Sequence, residues 1–477
     1  MTGHAGPGTP GATPDTDLET GPGTALETVL ETAALQAEID AAALAGGGTV
    51  VVRAGVHRTG ALRLRSHVEL HLEAGSRLEF VSDPELYPPV EARWEGAPST
   101  VHSPCLYAHG ETDVAITGLG TIDGQGQRWW DTFRDDRESL AYPRPTLIGL
   151  HECERVTIRD VLLRDSPAWT VHPLLCQDVS VSGVRIANPP DSPNTDGVNP
   201  ESCRNVRISD CHIDVGDDCI TIKAGTERSP ERVPCENITI TGCTMVHGHG
   251  GVVIGSEMSG GVRNVVITGC VFQGTDRGIR IKSRRGRGGV VEDIRVTNVV
   301  MSDVMCPIVI NPYYFCGPDG DEPRVGDRRP YPVDDSTPVF RRIHLAHVTA
   351  RGAHAAAGHV YGLPEQPLIE LTLDDVAVSF ADDAVPGYPA MADGVDLMAR
   401  QGFHLGFVAD SDVTRVRVDG ADGPAFHVDN SPTLRLETAG LETAGLETAG
   451  LETAGLETAR LDTPRPGEVR PDARDGD

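Results

Sequence analysis

Short runs in which apolar and polar residues alternate recur through the middle of the chain: Arg155-Val156-Thr157-Ile158, Asp178-Val179-Ser180-Val181, Asn205-Val206-Arg207-Ile208, Asn237-Ile238-Thr239-Ile240, Asn264-Val265-Val266-Ile267 and Asp293-Ile294-Arg295-Val296. A period of two marks a strand with one buried face. The anchors Val156, Val179, Val206, Ile238, Val265 and Ile294 lie 23, 27, 32, 27 and 29 residues apart, with looser echoes at Val114, Ile343, Leu371 and Val416. Strands this short bury no face alone, whereas coil stacked on coil buries a continuous column. The pattern predicts an all-β fold, a single-stranded right-handed parallel β-helix. A horseshoe of leucine-rich repeats is the alternative, but its Leu-rich consensus is missing.

Cysteines follow the same period. Cys153, Cys176, Cys203 and Cys235 each sit three residues before an anchor, and Cys211, Cys243 and Cys270 each sit five after one. Two interior columns of small apolar side chains are expected there; metal binding is the competing reading and lacks a CxxC spacing. Ahead of the repeat, apolar residues at 26, 29, 30, 33, 37 and 41 share one helical face before the stop Gly46-Gly47-Gly48, so residues 25–44 read as a helix capping the open end of the stack. Leu436 to Arg460 is five tandem copies of Leu-Glu-Thr-Ala-Gly, the last ending in Arg. On a helix this period turns Leu by about 140° per copy, and no single apolar stripe forms. Three parts are therefore expected: a disordered segment 1–24, a catalytic β-helix 25–433, and a disordered repeat tail 434–477.

Composition agrees with a narrow aliphatic column, since aromatics are 4% of the 477 residues while Gly (54) and Pro (35) are plentiful. No apolar run reaches the length of a membrane span, and Met1 to Thr20 lacks the basic start and apolar run of an export signal. A soluble, cytoplasmic protein with no membrane partner is the expectation, and 11 cysteines, an odd number, make a full disulfide framework a poor fit. The net charge of −29 argues against nucleic acid as a partner. Only two of the 41 basic residues are lysines, Lys223 and Lys282. An ammonium at either place departs from the chain's own habit.

Four polar phrases interrupt the repeat: Asn194-Thr195-Asp196, Gly216-Asp217-Asp218-Cys219, Gly248-His249-Gly250 and Arg280-Ile281-Lys282. From Asp196 to Asp218 is 22 residues, from Asp218 to His249 is 31, and from His249 to Arg280 is 31, each about one coil. Taken singly, each phrase reads as a solvated turn, a flexible loop or a charged surface strand. Stacked at the strand spacing of about 4.8 Å, they would bring three carboxylates, an imidazole and two cations to one face. Glycosidic hydrolysis needs such a set, because one carboxyl must donate a proton while another, ionised, activates water. Crowding Asp196, Asp217 and Asp218 is expected to raise the proton affinity of at least one of them. The segment Asp276 to Gly289 adds Arg277, Arg280, Lys282, Arg284, Arg285 and Arg287 against one acid. Such a cationic patch suits a substrate bearing carboxylates, such as a uronic-acid oligosaccharide or polysaccharide; balancing of the nearby Asp residues is the plainer explanation.

These motifs, in this order, resemble the polygalacturonase family of pectin-degrading enzymes, glycoside hydrolase family 28. The likeness extends to Gly118-Leu-Gly-Thr-Ile-Asp-Gly-Gln-Gly126 with Trp129-Trp130, to Trp169-Thr-Val-His-Pro173 and to Gly47-Gly-Thr-Val50, and spans about residues 25 to 430. It implies a pectin-lyase-like solenoid and single-displacement, inverting hydrolysis of α-1,4 galacturonosyl linkages with no metal or other cofactor. Position by position, it implies Asp217 as the general acid and Asp196 with Asp218 as the pair that activates water. His249 would tune or orient the acid, Arg280 and Lys282 would hold a galacturonate carboxylate, Asn194 would position sugar or water, and Tyr314 or Tyr313 would match a tyrosine near the cleft. Attack from a chain end is expected, because an intracellular enzyme meets oligomers and because the segment 311–338, which stretches one interval to 49 residues, is long enough to close one end of the cleft. Rhamnogalacturonan and substituted galacturonan are alternative substrates. The rivals from other classes are a calcium-dependent lyase on the same fold and a non-catalytic carbohydrate-binding β-helix.

Overall fold

The computed structural model describes residues 25–315, 317, 319–437 and 446–449. The chain winds into one parallel β-helix, each regular coil contributing three short strands. One coil runs through Arg204–Ser209, His212–Val215 and Asp218–Ile222, and the next through Cys235–Thr241, Thr244–His247 and Gly250–Ile254. All three pairs are parallel.

The anchors stack as spaced: Val114, Val156, Val179, Val206, Ile238, Val265, Ile294, Ile343 and Leu371 pair successively in register. Val416 does not join this column. Asp412 and Arg417 pair with Thr372 and Ala377, which sets Val416 beyond the anchor position of its coil. The two cysteine columns are buried, as is every anchor in the register above.

Corners explain what flanks each anchor. The residue before it adopts a left-handed backbone, φ 57° at Asp178, 60° at Asn205, 59° at Asn237 and 58° at Asn264, a conformation that Asn and Asp tolerate best among residues with a side chain. Their side chains form a ladder up the outside: Asn205 Nδ2 donates to Asp178 Oδ1 (2.9 Å), Asn237 to Asn205 (3.1 Å) and Asn264 to Asn237 (3.1 Å). A second left-handed corner falls four residues after the anchor, at Asp160, Gly183, Asp210, Gly242 and Gly269. Asp and Gly share this column because a Cβ on Gly242 would lie 2.8 Å from Asp210 Oδ1.

The helix Ala25–Leu44 forms over the expected residues and packs on the first strands. Leu35 and Ile39 enter the core, Gln36 exchanges hydrogen bonds with the Arg63 backbone, and Thr32 Oγ1 accepts from Gly60 N. At the other end the strand repeat outlasts the expected boundary. Leu434–Glu437 pairs with Ser411–Thr414, and Leu446–Ala449, inside the Leu-Glu-Thr-Ala-Gly repeats, pairs with Phe426–Asp429. A helical period finds no stripe in this tail, but period-two alternation suits a strand, with Leu434 and Leu436 packed on the core and Arg435 donating to Asp412 (2.8 Å). The rest of the tail and residues 1–24 lie outside the described residues. No described helix is long and apolar enough to cross a membrane.

Excursions rise where a coil can lengthen without breaking the ladder. The antiparallel hairpin of Pro89–Trp94 and Ala97–His102 is held at its tip by the Gly96 carbonyl, which accepts from Ser229 Oγ (2.9 Å) and Thr226 N (3.3 Å). On the far side, segments 312–338 and 381–400 fold over the sheet and meet at a Tyr314–Ala392 bridge.

The column is expected to carry the stability. Ile240→Ala in a central coil should lower the unfolding free energy by about 2–5 kcal/mol, and Arg263→Ala, which breaks an exposed pair with Glu236, by less than about 1 kcal/mol. Denaturant titration of the two variants checks this; equal losses would contradict it.

Candidate active site

The polar phrases meet on the strand face that contains Asp218–Ile222, Gly250–Ile254 and Arg277–Lys282. Asp196 lies one coil from Asp218, since Val198 bridges to Ile220 and Gly197 N donates to the Asp218 carbonyl at 3.0 Å. Asp218 itself pairs with Gly250, and Arg280 with Val253. Arg280 is therefore offset along the coil from Asp218, and the equal intervals of 31 residues are not strict register. The long cationic side chains reach back across the gap. Arg280 Nη1 lies 3.3 Å from Asp218 Oδ1 and Lys282 Nζ lies 2.9 Å from Oδ2.

Local turns fix the acids. Thr195 Oγ1 bonds Ser192 Oγ (2.6 Å) and accepts from Gly216 N (3.2 Å), pinning the Asn-Thr-Asp loop to the Gly-Asp-Asp turn. Asp217 Oδ1 accepts from Asp218 N (2.9 Å) and meets His249 Nδ1 (3.1 Å). Gly248, at φ 73°, lets the chain pass under the Asp217 carbonyl, which accepts from His249 N (3.0 Å). The three carboxylates present oxygens all within 4.8 Å of one another. Asp196 and Asp218 are buried, whereas the Asp217 side chain is 21% exposed, so it is the acid open to a ligand.

Environment sorts the charges. Burial and then the neighbouring charge of Asp217 push Asp196 up to about 8. Burial acts on Asp218 in the same direction, but Lys282 and Arg280 outweigh it and hold that carboxyl well below the usual range. The hydrogen bond to Asp217 raises His249 to about 9. The crowding anticipated from sequence is thus expressed at Asp196.

A cavity of about 210 Å³ opens above the acids. Tyr314 forms part of its wall, with Lys282 Nζ and Arg280 Cζ at 5.2 and 5.7 Å from its ring centre. Tyr313 turns away and donates to the Gly362 carbonyl (3.0 Å). Asn194 lines the cavity, but its Oδ1 accepts from Arg144 (2.7 Å). The cationic segment divides. Lys282 and Arg287 face the cavity and Arg280 reaches Asp218, whereas Arg284 and Arg287 both pair with Glu227 and Arg285 pairs with Glu365.

Two features of the lining lie outside the four polar phrases. Lys223 lies 3.9 Å from Asp196 Oδ2 and 3.3 Å from Glu257 Oε2, and its rarity as a lysine was its only signal. Trp169 stacks on Trp94 of the hairpin with centroids 4.8 Å apart, and no local pattern joins residues so distant in sequence.

The three carboxylates are close enough to bracket a cation, and among the described residues no other such group of His, Cys, Asp and Glu is found. Protein donors already hold two of the three: Lys282 and Arg280 reach both oxygens of Asp218, and Asn199 Nδ2 (3.0 Å) and Thr221 Oγ1 (3.4 Å) converge with Lys223 on Asp196 Oδ2.

Residues 100–326 match the family described as glycosyl hydrolases family 28. A probable polygalacturonase of Vitis vinifera is 33% identical over 349 residues, covering 71% of this chain and 68% of that protein. The chain belongs to glycosyl hydrolase family 28. It is a glycoside hydrolase. Among other relatives, an endo-polygalacturonase of Pectobacterium carotovorum subsp. carotovorum is 35% identical over 54% of this chain and 66% of its own. The crystal structure of a hyperthermoactive exopolygalacturonase from Thermotoga maritima superposes with a TM-score of 0.68 at 28% identity, covering 82% of this chain and 88% of the other.

The His249–Asp217 pair makes a pH-dependent contribution to stability. Because the folded value of His249 lies above that of free histidine, the contribution is complete below about pH 6.5 and is lost as pH rises through about 9. The difference in melting temperature between wild type and His249→Gln should narrow between pH 6 and pH 9.5. A constant difference would contradict the pairing.

Proposed function

We propose that this family 28 hydrolase cleaves α-1,4 galacturonosyl linkages of pectic oligosaccharides from a chain end by single displacement. The observation that carries the reading is the meeting of Asp196, Asp217 and Asp218 within 4.8 Å beside Lys282 and Arg280. Asp196, pushed up to about 8, holds a proton at neutral pH that the cluster can use. Reaction needs it on Asp217, the accessible acid, which protonates the leaving glycosidic oxygen as the C–O bond breaks. His249, cationic up to about pH 9, orients Asp217 and keeps a proton beside it. Asp196 and Asp218 then hold a water and accept its proton as its oxygen bonds to the anomeric carbon. Lys282 and Arg280, against Tyr314, take the galacturonate carboxylate, and Asn194 steadies the sugar.

Chain-end action is supported by the walls. The hairpin contributes Glu95 to the cavity lining and the excursion 312–338 contributes Tyr314 and Gly317, so both excursions border the acids. The relative from Thermotoga maritima is named an exopolygalacturonase.

With oligogalacturonates of defined length, Asp217→Asn should reduce kcat/KM by about 10³-fold or more, read as reducing ends released; retention of most activity would contradict the assignment of the acid. Wild type should keep its activity in a chelator and form no ultraviolet-absorbing unsaturated product, the opposite of a calcium-dependent lyase. One short product should accumulate from the first turnovers, and a mixture of internal fragments would contradict chain-end action.

A further inference from the structure

Lys223 follows the strand Asp218–Ile222 and is almost fully buried. Its ammonium has two acidic neighbours: Glu257 Oε2 at 3.3 Å and Asp196 Oδ2 at 3.9 Å, with the Trp169 ring centre at 5.1 Å. Burial alone would strip its proton, but Glu257 and Asp196 outweigh that and keep it charged. Glu257 is ionised as well: burial opposes this, yet Lys223, Arg287 and Lys282 hold it down at about 2. A buried ion pair thus stands against one oxygen of an acid whose proton affinity is raised by burial and by its acidic neighbours.

That placement matters because the proposed reaction requires Asp196 to give up its proton and later receive one from water. The charged groups that bear on Asp196 are Asp217, Asp218, Lys223 and Lys282. Around these stand His249 on Asp217, Arg280 on Asp218, and Glu257 and Glu201 on Lys223. Asn199 and Thr221 contact Asp196 as neutral donors. Both acids of the cluster disfavour the Asp196 carboxylate, and of the two cations that favour it Lys223 acts more strongly than Lys282, which pairs with Asp218 at 2.9 Å.

Resting on the hydrolase reading above, we propose that Lys223, held between Glu257 and Asp196, is a positioning residue that lets Asp196 carry negative charge while the cluster's proton sits on Asp217. Lys223 acts through Asp196, and Glu257 acts through Lys223. The two therefore have opposite signs: loss of the ammonium makes the Asp196 carboxylate costlier, whereas loss of the Glu257 charge leaves more of the ammonium's field for Asp196.

The test is the pH dependence of kcat/KM on oligogalacturonates for wild type, Lys223→Met, Lys223→Arg and Glu257→Gln. In Lys223→Met the acid limb should move up by about one pH unit or more, with kcat at neutral pH falling and KM changing by less than about threefold. Lys223→Arg should return the limb toward wild type, and Glu257→Gln should move it to lower pH. Limbs that stay in place, or that move the same way in Lys223→Met and Glu257→Gln, overturn the proposal. So does a tenfold rise in KM with an unmoved limb, which makes Lys223 a ligand for a substrate carboxylate. Should Lys223→Met not fold, Glu257→Gln carries the test alone, and a limb that stays or rises there overturns it. Absence of hydrolysis by wild type contradicts the underlying reading instead, so the two failures are distinguishable.

Discussion

Each coil of this solenoid is hydrogen-bonded to the next along parallel strands, and that register decides which side chains become neighbours. A residue cannot drift from the one a coil away without breaking a ladder of backbone bonds at the strand spacing of about 4.8 Å. The column of Val, Ile, Leu and Cys inside holds the register, and the left-handed corners before and after each anchor keep it in phase. Like charges such as Asp196 and Asp218 are forced together by this frame, which supplies the constraint that free side chains in solution would evade.

Crowded acids are tolerated because the same frame delivers cations. Asp218, buried, is neutralised by Lys282 and Arg280 from the strand Arg277–Lys282. Removing either partner of a buried pair leaves an uncompensated charge, which is why such pairs constrain a site more than they stabilise a fold. Asp196 instead has one ion-pair partner within 4 Å, Lys223, already shared with Glu257, and keeps a raised proton affinity. Two carboxylates on adjacent coils thus diverge in protonation through their partners alone.

Much of this was legible in the chain. Spacing of the anchors set the stacking, because a solenoid writes its register as a sequence interval, and the helix 25–44 was marked by its apolar face and glycine stop. Asp196, Asp217, Asp218, His249, Arg280 and Lys282 converge because their intervals approximate a coil. The offset of Arg280 was not legible, since an interval reports coil length and not position along a strand. Nor were the hairpin and Glu257, whose contacts with the cavity come from excursions that obey no period. The cationic segment misled in part: Arg284 and Arg285 bind Glu227 and Glu365, partners that composition does not pair. In the tail, Leu434–Glu437 alternates with period two, whereas Leu446–Ala449 forms a strand from a five-residue repeat that carries no such alternation.

The central claim is that these acids activate water rather than form a covalent bond to sugar. Their oxygens lie within 4.8 Å, closer than the roughly 6.5–9.5 Å usual between acid and base in inverting enzymes and near the roughly 5–5.5 Å of retaining ones. Distance alone would favour a nucleophile, but Asp218 has both oxygens bound by cations and Asp196 is surrounded by Asn199, Thr221 and Lys223. Proton NMR of the first anomer released from a galacturonate oligomer decides between them. Inversion, seen as the β-anomer appearing before mutarotation, is the predicted result; an initial α-anomer would contradict the account.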